Sequence, residues 1–215
     1  MEFTTILSML LQGMVISVEI FLLTLLFSLP LGMGVALCRL SKNCIIRNLA
    51  RIYISVLRGT PLMLQLFVVY FGPYYLFGWN IGGFRFTAVI IAFVINYAAY
   101  FAEIYRSGIE SMPVGQYEAA KVLGYTRSQT FMKIIMPQVI KRVLPPVTNE
   151  VITLIKDTSL AFAIAVAEMF TVAKAISSSQ RTMIAFIMAG VLYYIFNLVV
   201  AMLMEKAEKK LRYYR

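Results

Sequence analysis

The sequence predicts an all-α membrane protein in which one domain, residues 1–215, crosses the bilayer with five helices. Its composition is the first reason: 60% of the residues are hydrophobic and 14% are charged, whereas soluble domains carry about 25% charged residues. The mean hydropathy of +0.79 agrees with this. The second reason is that apolar residues gather in long stretches, and a helix needs about 20 of them to cross a bilayer.

Five apolar stretches meet or approach that length, and three of them contain an acidic side chain. The first is interrupted only by Glu19, the third contains Glu103, and the fourth and shortest contains Glu150. The fifth holds no charged residue. In chain order the predicted spans cover residues 13–37, 61–77 with an upstream extension through 52–57, 87–104, 143–155 and 182–204.

Basic residues alternate between the segments that join these spans. Five Lys or Arg lie between the first and second spans, six between the third and fourth, and five follow the fifth. The N-terminal segment has none, the loop after the second span has only Arg85, and the three after the fourth span are offset by Asp157 and Glu168. Because cytoplasmic loops are enriched in Lys and Arg, the sequence predicts an outer N-terminus and a cytoplasmic C-terminus.

Several classes of site are disfavoured by what the sequence lacks. It contains no histidine and only two cysteines, so the usual general base and the commonest zinc ligand are missing. No metal, cofactor or catalytic residue is therefore expected. The net charge of +10 follows the loop pattern and does not indicate a nucleic-acid partner. No G-x-x-x-x-G-K-[ST] phosphate loop occurs, so the chain is not expected to bind ATP itself.

One charged stretch, EAAKVLGYTRSQTFMKIIMPQ at residues 118–138, interrupts the apolar sequence. Residues 116–123 are good helix formers, and Gly124 follows where a left-handed C-terminal cap belongs. Thr126 and Gln129 form a capping-box pattern that begins a second helix. Pro137 is expected to end that helix, because the residue before a proline avoids the α region.

The first of these two helices presents a small surface. Ala119 and Ala120 carry almost no side chain, which would let another protein approach the backbone closely. The alternative is an amphipathic loop that lies on lipid headgroups.

The spacing within this stretch resembles the EAA loop of ABC importer permeases, E-A-A-x3-G-x9-I-x-L-P. The matching residues are Glu118, Ala119, Ala120, Gly124, Ile134 and Pro137, with Met136 in place of the leucine. The stretches RGTP at 58–61, AEIYRSGIESMPVGQYEAA at 102–120 and KDTSL at 156–160 are similar to the polar amino acid branch of these permeases.

The resemblance implies a fold and a set of partners. The fold would be that of a type I ABC importer permease in the inner membrane of a prokaryote, with residues 113–137 as a cytoplasmic coupling loop that docks on an ATPase dimer. That ATPase would bind ATP and Mg²⁺. A second permease subunit, identical or homologous, and an extracytoplasmic amino acid binding protein would complete the importer, whose substrates would be polar amino acids.

Polar residues at membrane depth are candidates for the substrate pathway, because ionisable groups are costly there. They are Glu19, Asn96, Glu103, Glu150, Asp157, Thr158 and Ser159. The sequence LIKDTSLAFAIAVAEMF, residues 154–170, indicates a broken helix whose hydroxyl and backbone N–H groups would bind an amino acid carboxylate. An unpaired acid in the pathway would favour a basic amino acid.

Glu19 has no basic residue near it in sequence, which favours a functional role, but the other charged positions also have a structural interpretation. Glu103 stands three residues before Arg106 and is placed to pair with it on one helix face. Glu150 would then be a buried acid bonded to Asn149 or to a neighbouring helix, and Lys156 with Asp157 would form an internal ion pair.

Two other functions compete with transport by an ABC importer. A membrane-embedded lipid-modifying enzyme is disfavoured because the chain lacks histidine, clustered acids with metal-ligand spacing and a nucleophile elbow. An ATP-independent secondary carrier would need internal repeats, and the two halves of the chain show none that is convincing.

Overall fold

The computed structural model describes residues 2–211, which fold into helices and contain no strand. Nine α-helices follow one another, with a π-helix at Thr130–Ile135 before the seventh and a 3₁₀ helix at Thr158–Ile164 after it. The α-helices are α1 Phe3–Arg39, α2 Cys44–Gly59, α3 Leu62–Phe77, α4 Arg85–Glu110, α5 Val114–Val122, α6 Arg127–Gln129, α7 Met136–Asp157, α8 Met169–Gln180 and α9 Ile184–Leu211.

The long helices α1 and α4 pack against each other along the centre of the bundle. Small residues make this close approach possible: a Cβ added to Gly32 would lie 2.8 Å from the Cβ of Phe101. Ala36 and Ala98 are fully buried at the same interface. Gly32, Ala36 and Ala98 therefore serve contacts within the chain, as small side chains commonly do between membrane helices.

A second, smaller core lies where the N-terminal half of α1 meets α8 and the start of α9. It contains Ile6 and Leu10 of α1, Met169 and Ile176 of α8, and Ala189 of α9. A Cβ on Gly13 would lie 2.8 Å from the Cα of Met169, so the backbones of α1 and α8 touch there. This core explains why α1 begins at Phe3, ten residues before the predicted span.

Three helices among residues 2–211, namely α1, α4 and α9, are individually long and apolar enough to cross a membrane. The number rises to five when each of two bent helix pairs is taken as one span. The predicted fourth span, residues 143–155, lies inside α7, and the predicted fifth span overlaps α9, which extends to Leu211.

The predicted upstream extension of the second span is helical but forms a separate helix. α2 and α3 meet at 108°, because Thr60 precedes Pro61 and adopts an extended conformation with φ −124° and ψ 148°. Gln65 of α3 holds the bend by donating to the carbonyl oxygens of Leu57, at 2.9 Å, and Thr60, at 3.1 Å. Asn96 of α4 donates to the same Leu57 carbonyl at 3.2 Å and to the Gln65 Oε1 atom at 2.9 Å.

The prediction that Pro137 ends a short helix is wrong. Met136 is helical, with φ −57° and ψ −44°, and Pro137 occupies the first turn of α7, where its missing N–H is tolerated. The turn before it is a π-helix, Thr130–Ile135. Its wider hydrogen-bonding pattern lets the helical path continue around the proline instead of ending there.

Candidate functional site

The segment predicted to be the coupling loop, residues 113–137, contains two helical segments joined by a tight turn. At the end of α5 the Tyr125 N–H donates to the Ala120 carbonyl at 3.0 Å, and the Gly124 N–H donates to the Lys121 carbonyl at 3.1 Å. With Gly124 at φ +75°, these two bonds make a Schellman cap. The predicted left-handed cap at Gly124 is confirmed.

The predicted capping box at the start of α6 is also confirmed. The Gln129 N–H donates to the Thr126 hydroxyl at 3.3 Å, and the Thr126 N–H donates to the Gln129 side-chain oxygen at 2.9 Å. Both caps rest on contacts between neighbours in sequence, which fix the turn between α5 and α6 independently of any partner.

One alanine of the motif is buried and the other is exposed, which corrects the prediction that both form one open surface. Ala120 is 1% exposed and packs inside the chain, whereas Ala119 and Glu118 are exposed. Val122 and Leu123, 88% and 73% exposed, extend the free surface of α5. The outward face of the loop is therefore small at Ala119 and apolar at Val122 and Leu123.

The remaining motif residues lie on the helical path after the turn. Ile134 is half-buried in the π-helix, and Pro137 is exposed at the start of α7. Gln138 donates to the Ile134 carbonyl at 2.8 Å and contacts the side-chain oxygen of Gln116 at 3.4 Å. These contacts tie α5 to α7, so that the motif residues form one continuous supported unit.

Two of the predicted pathway acids, Glu103 and Glu150, line one cavity of about 390 Å³ between α2, α4 and α7. Glu103 pairs with Arg106 through two hydrogen bonds, of 3.1 Å and 2.5 Å, which confirms the intrahelical pairing. Arg58 and Arg142 line the same cavity. The three arginines and two glutamates that line it give a formal charge of +1, so this cavity is not acidic.

The polar residues at the end of α7 and directly after it have hydrogen-bond partners within the chain. Asp157 accepts a 2.7 Å hydrogen bond from the Tyr97 hydroxyl, and residues 2–211 show no ion pair between it and Lys156. The hydroxyls of Thr158 and Ser159 donate to the carbonyls of Ile155 and Lys156, at 2.8 Å and 2.7 Å. Their donors are engaged with the preceding turn and are not directed at a ligand.

The predicted helix break after α7 is present. The 3₁₀ helix is followed by Ala165, whose φ of +57° lies in the left-handed region, and α8 starts at Met169 at an angle of 57° to the preceding helix. Asn96, in contrast, supports the α2–α3 bend described above and is 4% exposed. Glu19 lies apart from Glu103 and Glu150, in a different cavity of about 360 Å³ that Arg85 also lines.

The sequence does not identify Glu168 as a structural acid, because it lies in a segment where its charge simply offsets nearby basic residues. It is completely buried and caps α8, accepting from the Phe170 N–H at 2.7 Å and the Thr171 N–H at 2.6 Å. The hydroxyls of Thr171 and Tyr193 also donate to it, at 2.8 Å and 3.1 Å. Its position before a renewed helical run was the available signal.

Glu168 and the adjacent Met169 together join three helices at the helix break. Its partners lie on α8 and α9, and the adjacent Met169 N–H donates to the Ser17 hydroxyl of α1 at 3.3 Å. A buried carboxylate with four donors is a well-satisfied acceptor. Its role in this structure is to position the start of α8.

Comparison with known proteins agrees with this architecture. The family described as "Binding-protein-dependent transport system inner membrane component" matches residues 28–213. The chain is 38% identical to the octopine transport system permease protein OccM of Rhizobium radiobacter, covering 93% of this chain and 84% of that protein. It is 34% identical to the arginine transport system permease protein ArtQ of Bacillus subtilis, covering 94% and 92%.

Solved structures share the fold. A chain from the "Crystal structure of an amino acid ABC transporter with histidines" superposes with a TM-score of 0.87 at 32% identity, covering 98% of this chain and 99% of that one. The MetNI methionine ABC transporter shares the fold at 15% identity, with a TM-score of 0.75 and the same coverage. The chain therefore belongs to the family of binding-protein-dependent transport system inner membrane components.

Proposed function

We propose that this chain is the transmembrane subunit of an ATP-driven importer for polar amino acids. The observation that carries the proposal is the coupling loop, in which a capped helix displays Glu118, Ala119 and Leu123 outward while Ala120 anchors it inward. An exposed apolar side chain on a short, rigid, charged loop fits a protein partner better than it fits water. The relatives named for octopine, arginine and cystine transport support the amino acid class.

The partner at this loop is a cytoplasmic ABC ATPase dimer that binds and hydrolyses ATP with Mg²⁺. The permease sequence has no phosphate-binding loop of its own, so the energy of transport enters through residues 118–124. A second permease copy or a homologous permease completes the pathway, and an extracytoplasmic binding protein delivers the substrate.

The orientation follows from the charge of the connecting segments. Lys and Arg gather in the segment before the second span, in the coupling loop and in the C-terminal tail, and the N-terminal segment has none. We therefore place the coupling loop and the C-terminus in the cytoplasm and the N-terminus outside an inner membrane of a prokaryote.

The proposed pathway runs past the two charged cavities, with Glu19 near one end and Glu103, Glu150 and Asp157 nearer the coupling loop. The cavity that contains Glu103 and Glu150 also holds Arg58, Arg106 and Arg142. Its charge is mixed, so the field of the cavity does not by itself select a cationic side chain. The proposal is therefore an importer for polar amino acids in which the binding protein selects among side chains.

Co-purification with the ATPase tests the proposal. The chain is expressed with its cognate ABC ATPase, and Leu123→Asp is compared with Met183→Asp, a change at a similarly exposed position outside the coupling loop. We expect Leu123→Asp to lose the ATPase, because the charge is desolvated when the loop docks, and Met183→Asp to keep it. Retention of the ATPase and wild-type transport by Leu123→Asp would refute the docking assignment.

A further inference from the structure

A cavity of about 360 Å³ lies between α1, the loop that precedes α4, and the break before α8. Its charged residues are Glu19 and Arg85, and Gly82, Gly83 and three apolar side chains complete the lining. Arg85 is the first residue of α4, and the coupling loop follows the last residue of that helix. The cavity is therefore at the end of α4 opposite the coupling loop.

Glu19 and Arg85 do not form an ion pair with each other in residues 2–211. Within residues 2–211 the carboxylate of Glu19 has neither an ion-pair nor a hydrogen-bond partner, although Arg85 lines the same space. The Nε atom of Arg85 donates to the Tyr70 hydroxyl at 3.3 Å. That bond orients the guanidinium and leaves its two terminal nitrogens available to a second acceptor.

The surface around Glu19 is otherwise apolar. Val15 and Leu22 lie one turn before and one turn after it on α1, and both are more than half exposed. A carboxylate facing lipid among such residues would be costly. The position is explained when the carboxylate faces a polar occupant of the cavity.

We propose that this cavity binds the zwitterionic head of an amino acid, with Glu19 on the α-ammonium and Arg85 on the α-carboxylate. The inference rests on the proposed function, since it takes the substrate to be an amino acid. A guanidinium matches a carboxylate with two parallel hydrogen bonds, and a single carboxylate holds an ammonium. The cavity volume is at the small end of the range for small-molecule sites, which begins at about 300 Å³.

The rest of the lining suits the same ligand. A Cβ added to Gly83 would meet nothing within 4 Å, so open space adjoins the backbone of the loop. Ile16, Phe86 and Val166 offer only apolar contact. The site binds the ammonium and carboxylate groups that all α-amino acids share. Selection among side chains is then made by the binding protein.

Ligand analogues test this reading on the wild-type protein. The purified permease–ATPase complex, in nanodiscs of phosphatidylcholine and without binding protein, is titrated with the standard L-amino acids, and the amino acid that binds best is then compared with its methyl ester and its desamino analogue. Each analogue lacks one charge of the head, and each is expected to bind about tenfold or more weakly, as for the loss of a hydrogen bond between charged groups. The proposal is overturned if none of the amino acids binds, or if either analogue binds as tightly as its parent amino acid.

Substitutions show which residue binds the ammonium and which binds the carboxylate. Glu19→Gln should weaken binding of the amino acid and of its methyl ester but leave the desamino analogue unchanged, and Arg85→Gln should show the reverse pattern. Glu205→Gln, which removes one member of an exposed ion pair in α9, is the matched control and should bind like wild type. Loss of binding to all ligands alike in both variants would contradict the assignment of roles.

Two further measurements separate an amino acid site from a lipid headgroup site and from a purely structural role. Soluble phosphoethanolamine carries an ammonium and a phosphate, and competition by it as effective as that of the amino acid would assign the cavity to a lipid headgroup instead. Both variants should still co-purify with the ATPase. Unchanged amino acid affinity in variants that retain the ATPase would overturn the zwitterion site and leave the importer assignment standing.

Discussion

Removal of the Glu168 carboxylate should loosen the junction between α1, α8 and α9. Glu168→Ala deletes an N-cap, which costs about 1 kcal/mol, and removes the carboxylate acceptor of the half-buried Thr171 and Tyr193 hydroxyls. Each of these lost bonds to a charged acceptor costs about 1–3 kcal/mol, so the total loss is roughly 3–7 kcal/mol. For a chain of this length, that corresponds to a fall in Tm of about 6 °C at least.

Variants that remove fewer of the hydrogen bonds of Glu168 test whether stability depends on this carboxylate. Glu168→Gln keeps one acceptor oxygen and should lie between wild type and Glu168→Ala, whereas Tyr193→Phe removes a single 3.1 Å bond and should cost about 1 kcal/mol. The assay is thermal unfolding of the purified permease in detergent, followed by far-UV circular dichroism at a fixed scan rate. A Glu168→Ala protein that melts with the wild type, or above Tyr193→Phe, would show that the junction does not depend on this carboxylate.

Three other outcomes follow from the structure. Ala120→Asp should destabilise the coupling loop by about 3–5 kcal/mol because it buries an unpaired charge, whereas Ala119→Asp should leave the loop resistant to limited proteolysis and abolish only ATPase binding; equal effects would contradict the two-faced helix. Gly108→Ala places a methyl group against a valine of α7 and should lower the free energy of unfolding by about 1–3 kcal/mol. A variant with the Tm of the wild type would contradict this expectation. In a background without native cysteines, Ser8→Cys should react with an impermeant thiol reagent in intact cells and Ser128→Cys should not, and labelling of the latter from outside would reverse the proposed orientation.

The local features of the coupling loop were readable from the sequence because their causes are local. The cap at Gly124 depends on the absence of a side chain at one positive-φ residue, and the capping box depends on two residues three apart. The helix break after Asp157 was likewise signalled by consecutive polar residues in an apolar run. Such features need no knowledge of what packs against them.

The features that the sequence did not predict depend on how distant parts of the chain pack together. Whether Ala119 or Ala120 faces inward depends on how α5 is rotated against the rest of the chain, and two adjacent alanines carry no signal for that. Glu168 resembled a loop charge because Tyr193, which donates to it, lies 25 residues away. Glu19 and Arg85 line one cavity although 66 residues separate them in sequence. Pro137 was misjudged because the general rule for prolines does not include a preceding π-helix.

The length of α1 makes bilayer thickness a variable for this protein. Its 37 residues extend about 55 Å, while the hydrocarbon core of a bilayer is about 30 Å thick. Contact with Met169 at Gly13 and with Phe101 at Gly32 fixes α1 at two levels, so the helix cannot tilt to suit the lipid without carrying α8 and α4 with it. Longer acyl chains reduce the mismatch between α1 and the bilayer. We therefore expect them to change the distance between the two cavities, and with it the rate of transport.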